Sequence, residues 1–145
     1  MATVRRRRIH LLLWAFSALV LGMATYIVLR PWTFEAAAWF GLATKPSWLM
    51  VGADFPEWVR FNLPDALWLY GFLVSLSATW IGPSGRLVSE GWPWIVGAAL
   101  IALGHETGQA LGLVQGTFDI FDLGAYVLAI SAAIFTVHRH KETFA

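Results

Sequence analysis

The stretch "GHETGQALGLVQGTFDIFDLGAY", residues 104–126, separates two strongly apolar runs, "WPWIVGAALIAL" at 92–103 and "VLAISAAIFTV" at 127–137. It carries His105, Glu106, Gln109, Asp119 and Asp122. Read as a hairpin turning near 115–116, it makes the two runs antiparallel helices and gathers their polar residues at one end. Extended into this stretch, the runs become segments of about 93–113 and about 118–137.

Two more such segments lie upstream, at 11–29 and 65–81. The four hold 17 to 21 residues each, close to the roughly 20 that cross a hydrocarbon core of about 30 Å. Composition agrees: hydrophobic residues make up 58% of the 145 and charged residues 13%, against about 45–50% and about 25% in soluble domains. The expected fold is therefore all-α, a single domain over 1–145 built as an integral membrane bundle of four transmembrane helices. The segment 30–64 becomes an outer loop. Its aromatics, among them Trp32, Trp39, Trp48 and Trp58, suit the headgroup layer. Thr33 and Asp54 are candidate caps for short interfacial helices in it. The chain has no cysteine, which rules out disulfides and thiolate-bound metal.

The first segment follows "RRRR" at 5–8, the pattern of a signal peptide's basic region. Its apolar run is longer than a typical signal core and no small-x-small cleavage site follows, so it is expected to be retained. With the N-terminus inside, Arg5, Arg6, Arg7, Arg8, Arg86, Arg139 and Lys141 are cytoplasmic, and Arg30, Lys45 and Arg60 lie outside. Seven bases against three satisfy the positive-inside rule. This predicts a multi-pass protein of the cell (inner) membrane with both termini cytoplasmic. The arginine run then reads as a topology signal, not a nucleic-acid site. "HRHKETFA" at the C-terminus reads as a frayed polar tail.

At helical spacing, Gly104, Gly108 and Gly112 form a small-residue stripe of the kind that lets helices pack closely in lipid. Glu106 lies nearly opposite it, so the third helix is expected to be central, with neighbours on both sides. On the fourth helix Asp119, Asp122, Tyr126, Ala129 and Ala133 share one side. On the second, Asp65, Trp68, Phe72, Ser75 and Thr79 do. Matching depths brings Asp65, Glu106, Gln109, Asp119, Asp122 and His105 into one outward-opening acidic pocket. Asp65 and Asp119 have a plainer reading as helix N-caps. His105 has one as an interhelical hydrogen-bonding group. Glu106 is the residue hardest to place there without function, because a carboxylate well inside a span costs roughly 2.5–3.5 kcal/mol on insertion scales.

"HETGQ" is one residue short of H-E-x-x-H, the zinc-protease motif. Gln109 stands where the second histidine would be, so no zinc site is expected. A hard cation held by Glu106, Asp119 and Asp122 is the chemically consistent alternative. No serine elbow, cysteine nucleophile or phosphate-cradling loop is present, and no cofactor is specified.

The Glu106-x-x-Gln109 element, the short turn and the Asp119-x-x-Asp122 element together resemble the VanZ-like family of small bacterial membrane proteins. "NLPDALWLYGF" at 62–72 is similar to that family's polar entry to an earlier span. The resemblance covers about 60–135, with a turn shorter than in many members. It implies a cell-envelope protein linked to low-level resistance to teicoplanin, a glycopeptide acting outside the membrane. Three function classes stay open. The first is an envelope protein whose pocket binds a lipid headgroup, a cation or a cell-wall component. The second is a membrane enzyme on lipid-linked substrates with Glu106 or His105 as base. The third is an accessory subunit of a larger membrane complex, or a homo-oligomer. Membrane lipids are the expected partners in all three.

Overall fold

The first helix starts well before the apolar run. In the computed structural model, which describes residues 2–30, 38–41 and 55–143 with side chains as far as 140, α1 spans Ala2–Leu29. Nothing between Ala2 and Leu11 breaks a helix, and arginine is a good helix former. The expected start at residue 11 marks only where the apolar composition begins. Three more helices follow: α2 (Glu57–Thr79), α3 (Trp92–Ala110) and α4 (Ile120–Thr143), with a short 3-10 turn at Ser89–Gly91. No strand occurs among the described residues, only a single bridge between Ile81 and Leu87. Two helices, Ala2–Leu29 and Ile120–His140, are long and apolar enough to cross a membrane. The candidate caps Thr33 and Asp54 lie outside the described residues.

α2 begins at Glu57, with Pro56 as its N-cap residue, and not at Asp65. It takes in the last part of the expected 30–64 loop and runs through Pro64. A residue before proline disfavours helix, which is why "NLPD" looked like a boundary. The helix is carried through because the carbonyls freed at the proline find a donor outside α2, described below. α3 ends at Ala110, short of the expected 113, in a Schellman motif. Leu113 donates to the Gly108 carbonyl at 2.8 Å and Gly112 to the Gln109 carbonyl at 3.0 Å. Gly112 has φ +70° there, a conformation glycine adopts without strain. α4 starts behind Asp119 and runs to Thr143, so most of "HRHKETFA" is helical rather than frayed.

α2 is the central helix, packed along α1 and α4, while α3 lies to one side with fewer contacts to α2 and α4. This reverses the expectation that the third helix is central; its only buried residues are Glu106 and Gly108. On α1 the buried positions Leu11, Ala15, Ala18, Gly22 and Leu29 form one stripe. It meets Gly71 of α2, where an added Cβ would lie 3.0 Å from the Ala15 carbonyl and 2.8 Å from Leu19. Across α2 the core continues through Leu69, Leu73, Val74 and Ala78 to Ala129 and Ala133 of α4. The α4 stripe read from the sequence is thus the one that faces α2. The α2 stripe is not: Trp68, Phe72 and Thr79 are exposed.

Residues 80–88 close a tight turn between α2 and α3. Gly82 accepts Val88 so closely that a Cβ would sit 2.7 Å from it, and Gly91 does the same for Trp80 at 2.5 Å. Arg7 and Arg8 tie α1 to this end. Arg8 donates to the Ile81 carbonyl, and Arg7 to the carbonyls of Gly85 and, at 2.8 Å, Val137. The arginine run therefore has a tertiary role as well as its charge.

Candidate functional site

Pro64 has no N–H to offer the Arg60 carbonyl one turn back. Arg30, the residue just past α1, supplies the missing donor: its Nε reaches the Arg60 carbonyl at 3.0 Å and its Nη2 the Phe61 carbonyl at 2.5 Å. The same guanidinium pairs with Asp65 Oδ2 at 3.3 Å. The Tyr26 hydroxyl donates to Asp65 Oδ1. Asp65 is thus no N-cap. It sits within α2 as half of an ion pair to α1.

Asn62 makes the second junction. Buried on α2, it donates through Nδ2 to Asp122 Oδ1 at 2.5 Å and to Asp119 Oδ2 at 3.3 Å. Asp119 is the α4 N-cap in the plain sense: its Oδ1 accepts the Phe121 amide at 2.8 Å. Asp122 lies within electrostatic range of Asp65, Asp119 and Arg30. Tyr126, one turn deeper on α4, is within range of Asp65, Asp122, Glu106 and Tyr26. Asp65 on one side and Asp119 with Asp122 on the other therefore make two separate hydrogen-bonded junctions, of α1 and of α4 with α2. These adjoin in one polar network through electrostatic range alone, with Glu106 of α3 in range of Tyr126.

Glu106 is 4% exposed. Its Oε1 lies 3.7 Å from His105 Nδ1, and its Oε2 is buried with no hydrogen-bond partner among the described residues. His105 itself is largely exposed. Gln109 turns away from the acids towards the hairpin, with long contacts of 3.4 Å to the Gln115 carbonyl and 3.5 Å to His105. Of the three glycines expected to serve helix packing, only Gly108 is packed, against Val114 of its own hairpin. A Cβ on Gly104 or Gly112 would meet nothing within 4 Å among the described residues, and Gly112 lies beyond the helix.

The network is not a bare acidic pocket. Arg30 neutralises Asp65 and the cap role occupies Asp119, which leaves Asp122, sharing one neutral amide, and Glu106 as the under-compensated carboxylates. Among the described residues no three His, Asp or Glu side chains are placed to hold a metal ion. The cation triad of Glu106, Asp119 and Asp122 is therefore not formed. Sequence reasoning missed Tyr26, Arg30 and Asn62. The available signal was Pro64, since a proline inside a helix leaves a carbonyl that needs a donor.

Beside the network, α2 and α4 enclose an apolar groove of about 650 Å³. Leu63, Ala66 and Tyr70 line one wall and Phe121, Ala125 and Leu128 the other, and Asn62 is a polar residue of the lining. The chain matches no protein-family model, no curated protein and no solved structure.

Proposed function

We propose that this chain is a four-span protein of the inner membrane, termini cytoplasmic, that binds a lipid-anchored ligand at its outer polar network. The observation that carries the binding reading is that Asn62 lines the groove. That side chain lines an apolar channel with one side and holds Asp119 and Asp122 with its amide. A ligand with a hydrocarbon tail and an amine or hydroxyl-rich headgroup matches the apolar groove and the carboxylates beside it. The headgroup would give Asp122 the donors it lacks.

The membrane placement is supported by an inside-out distribution of size. Small residues such as Ala15, Ala18, Ala78, Ala129 and Ala133 are buried, while Phe16, Leu100, Ile101 and Leu128 are exposed. Lipid tolerates that surface and water does not. α2 and α3, with 23 and 19 residues, reach about 35 and 28 Å at 1.5 Å per residue, enough to span. The resemblance to the VanZ-like family, resting on Glu106, Gln109, Asp119 and Asp122, supports an envelope role connected with glycopeptide resistance.

The test is the native mass of the detergent-purified protein. Wild type should carry a lipid-sized adduct, and Asp122→Asn and the groove-filling Ala125→Phe should each remove most of it. An adduct that survives both changes, or none in wild type, would sink the reading. A second reading, an accessory subunit or homo-oligomer, is favoured by the side of α3 where a Cβ on Gly104 would meet none of the described residues within 4 Å. A clean monomer in mild detergent would dispose of it.

A further inference from the structure

A second cavity, of about 450 Å³, lies at the opposite end of the molecule between α3 and α4. Its walls are apolar, with Ile95, Ala99 and Leu100 from α3 facing Ile130 and Ile134 from α4. One end is different in kind. Arg7, Arg86 and His138 line it, and no carboxylate among the described residues does. We infer that this cavity binds an anionic phospholipid, with the phosphate at Arg7 and Arg86 and an acyl chain between α3 and α4. The inference rests on the membrane placement proposed above.

Arg7 points most directly to a ligand. It is 4% exposed and has no carboxylate partner among the described residues. Its two Nη atoms are used on the carbonyls of Gly85 and Val137, and its Nε is buried with no acceptor among the described residues. Neutral carbonyls leave the net charge uncompensated, and a buried uncompensated cation is costly. A phosphate would remove that cost and is the geometry a guanidinium prefers. Arg86 is exposed at the rim of the same cavity.

Depth agrees with an acyl chain. The lining positions run from Trp92 to Leu100 on α3 and from Ile130 to His138 on α4, about 12 Å along each helix at 1.5 Å per residue. Trp92, an exposed indole at the charged end, marks the headgroup level where tryptophan collects. The proposed orientation puts this end in the cytoplasmic leaflet, which carries anionic lipid.

The experiment compares binding of phosphatidic acid, phosphatidylcholine and inorganic phosphate to the full chain in detergent. Arg7 is a poor first target, because it joins α1 to both the turn and α4, so Arg86→Gln and Ala99→Phe are used. Phosphatidic acid should bind at least about tenfold more tightly than phosphatidylcholine, and Arg86→Gln should reduce that preference several-fold, as loss of one charge-assisted contact would. Ala99→Phe should abolish it, and millimolar phosphate should not displace the lipid. Equal binding of the two lipids, indifference to both variants, or displacement by phosphate alone would overturn the proposal. Carbonate extraction of cell membranes separates the failures. A chain that stays in the membrane pellet without lipid preference refutes this site, and one released to the soluble fraction refutes the membrane placement beneath it.

Discussion

Pro64 withholds a hydrogen bond from Arg60, and in an apolar setting a buried carbonyl left alone costs free energy. Arg30 answers with two carbonyl contacts and an ion pair to Asp65, so one side chain joins the end of α1 to the proline step of α2. Replacing it should be expensive for a specific reason. Arg30→Gln should lower stability by about 2–3 kcal/mol, the scale of lost charge-assisted hydrogen bonds. In a Pro64→Ala background, where residue 64 regains its N–H, the same change should cost less. Thermal unfolding of the four proteins in detergent measures that coupling. Equal costs in both backgrounds would mean that the carbonyls do not hold Arg30.

Glycine has three different uses in the helices, and only packing tells them apart. Gly71 allows contact, since a Cβ there would press on the Ala15 carbonyl and Leu19. Gly112 ends a helix at positive φ. A Cβ on Gly104 would meet nothing within 4 Å among the described residues. Three alanine substitutions should therefore separate cleanly in an unfolding assay. Gly71→Ala should cost about 1–3 kcal/mol through overpacking, and Gly112→Ala about 1–2 kcal/mol through left-handed strain. Gly104→Ala should be neutral or stabilise by up to about 1 kcal/mol, because alanine is the better helix former. A large loss at Gly104 would show that a partner helix covers it. From spacing alone Gly104 and Gly112 belonged to one stripe, because periodicity records which residues share a side and not what stands opposite.

At the scale of the molecule, charge is divided between two ends. The turn at 80–88 and the start of α1 carry Arg5 to Arg8 and Arg86, and the other end carries Asp65, Asp119 and Asp122 with Arg30. The proposed orientation puts the first end in the cytoplasm. The chain lacks cysteine, so single cysteines report topology directly. Ser84 and Thr117 are exposed in the turns at opposite ends. In intact cells an impermeant thiol reagent should label Thr117→Cys and spare Ser84→Cys. The reverse pattern would turn the molecule over and put the acid network on the inner side.

The helical class, the hairpin at 104–126 and the α4 stripe from Asp122 to Ala133 were legible in the sequence, because apolar periodicity and breakers are local properties of the chain. So was the closeness of Asp119 and Asp122, since residues three apart at a helix start share a face by helix geometry alone. Which helix stands at the centre was not legible. Neither were the pairing of Arg30 with Asp65, the burial of Arg7, or the turning of Gln109 towards its own hairpin. Each of these depends on which side of one helix meets another across dozens of residues. That choice is made by shape, where Gly71 admits Ala15 and the carbonyls at Pro64 admit Arg30, and only the tertiary structure decides it.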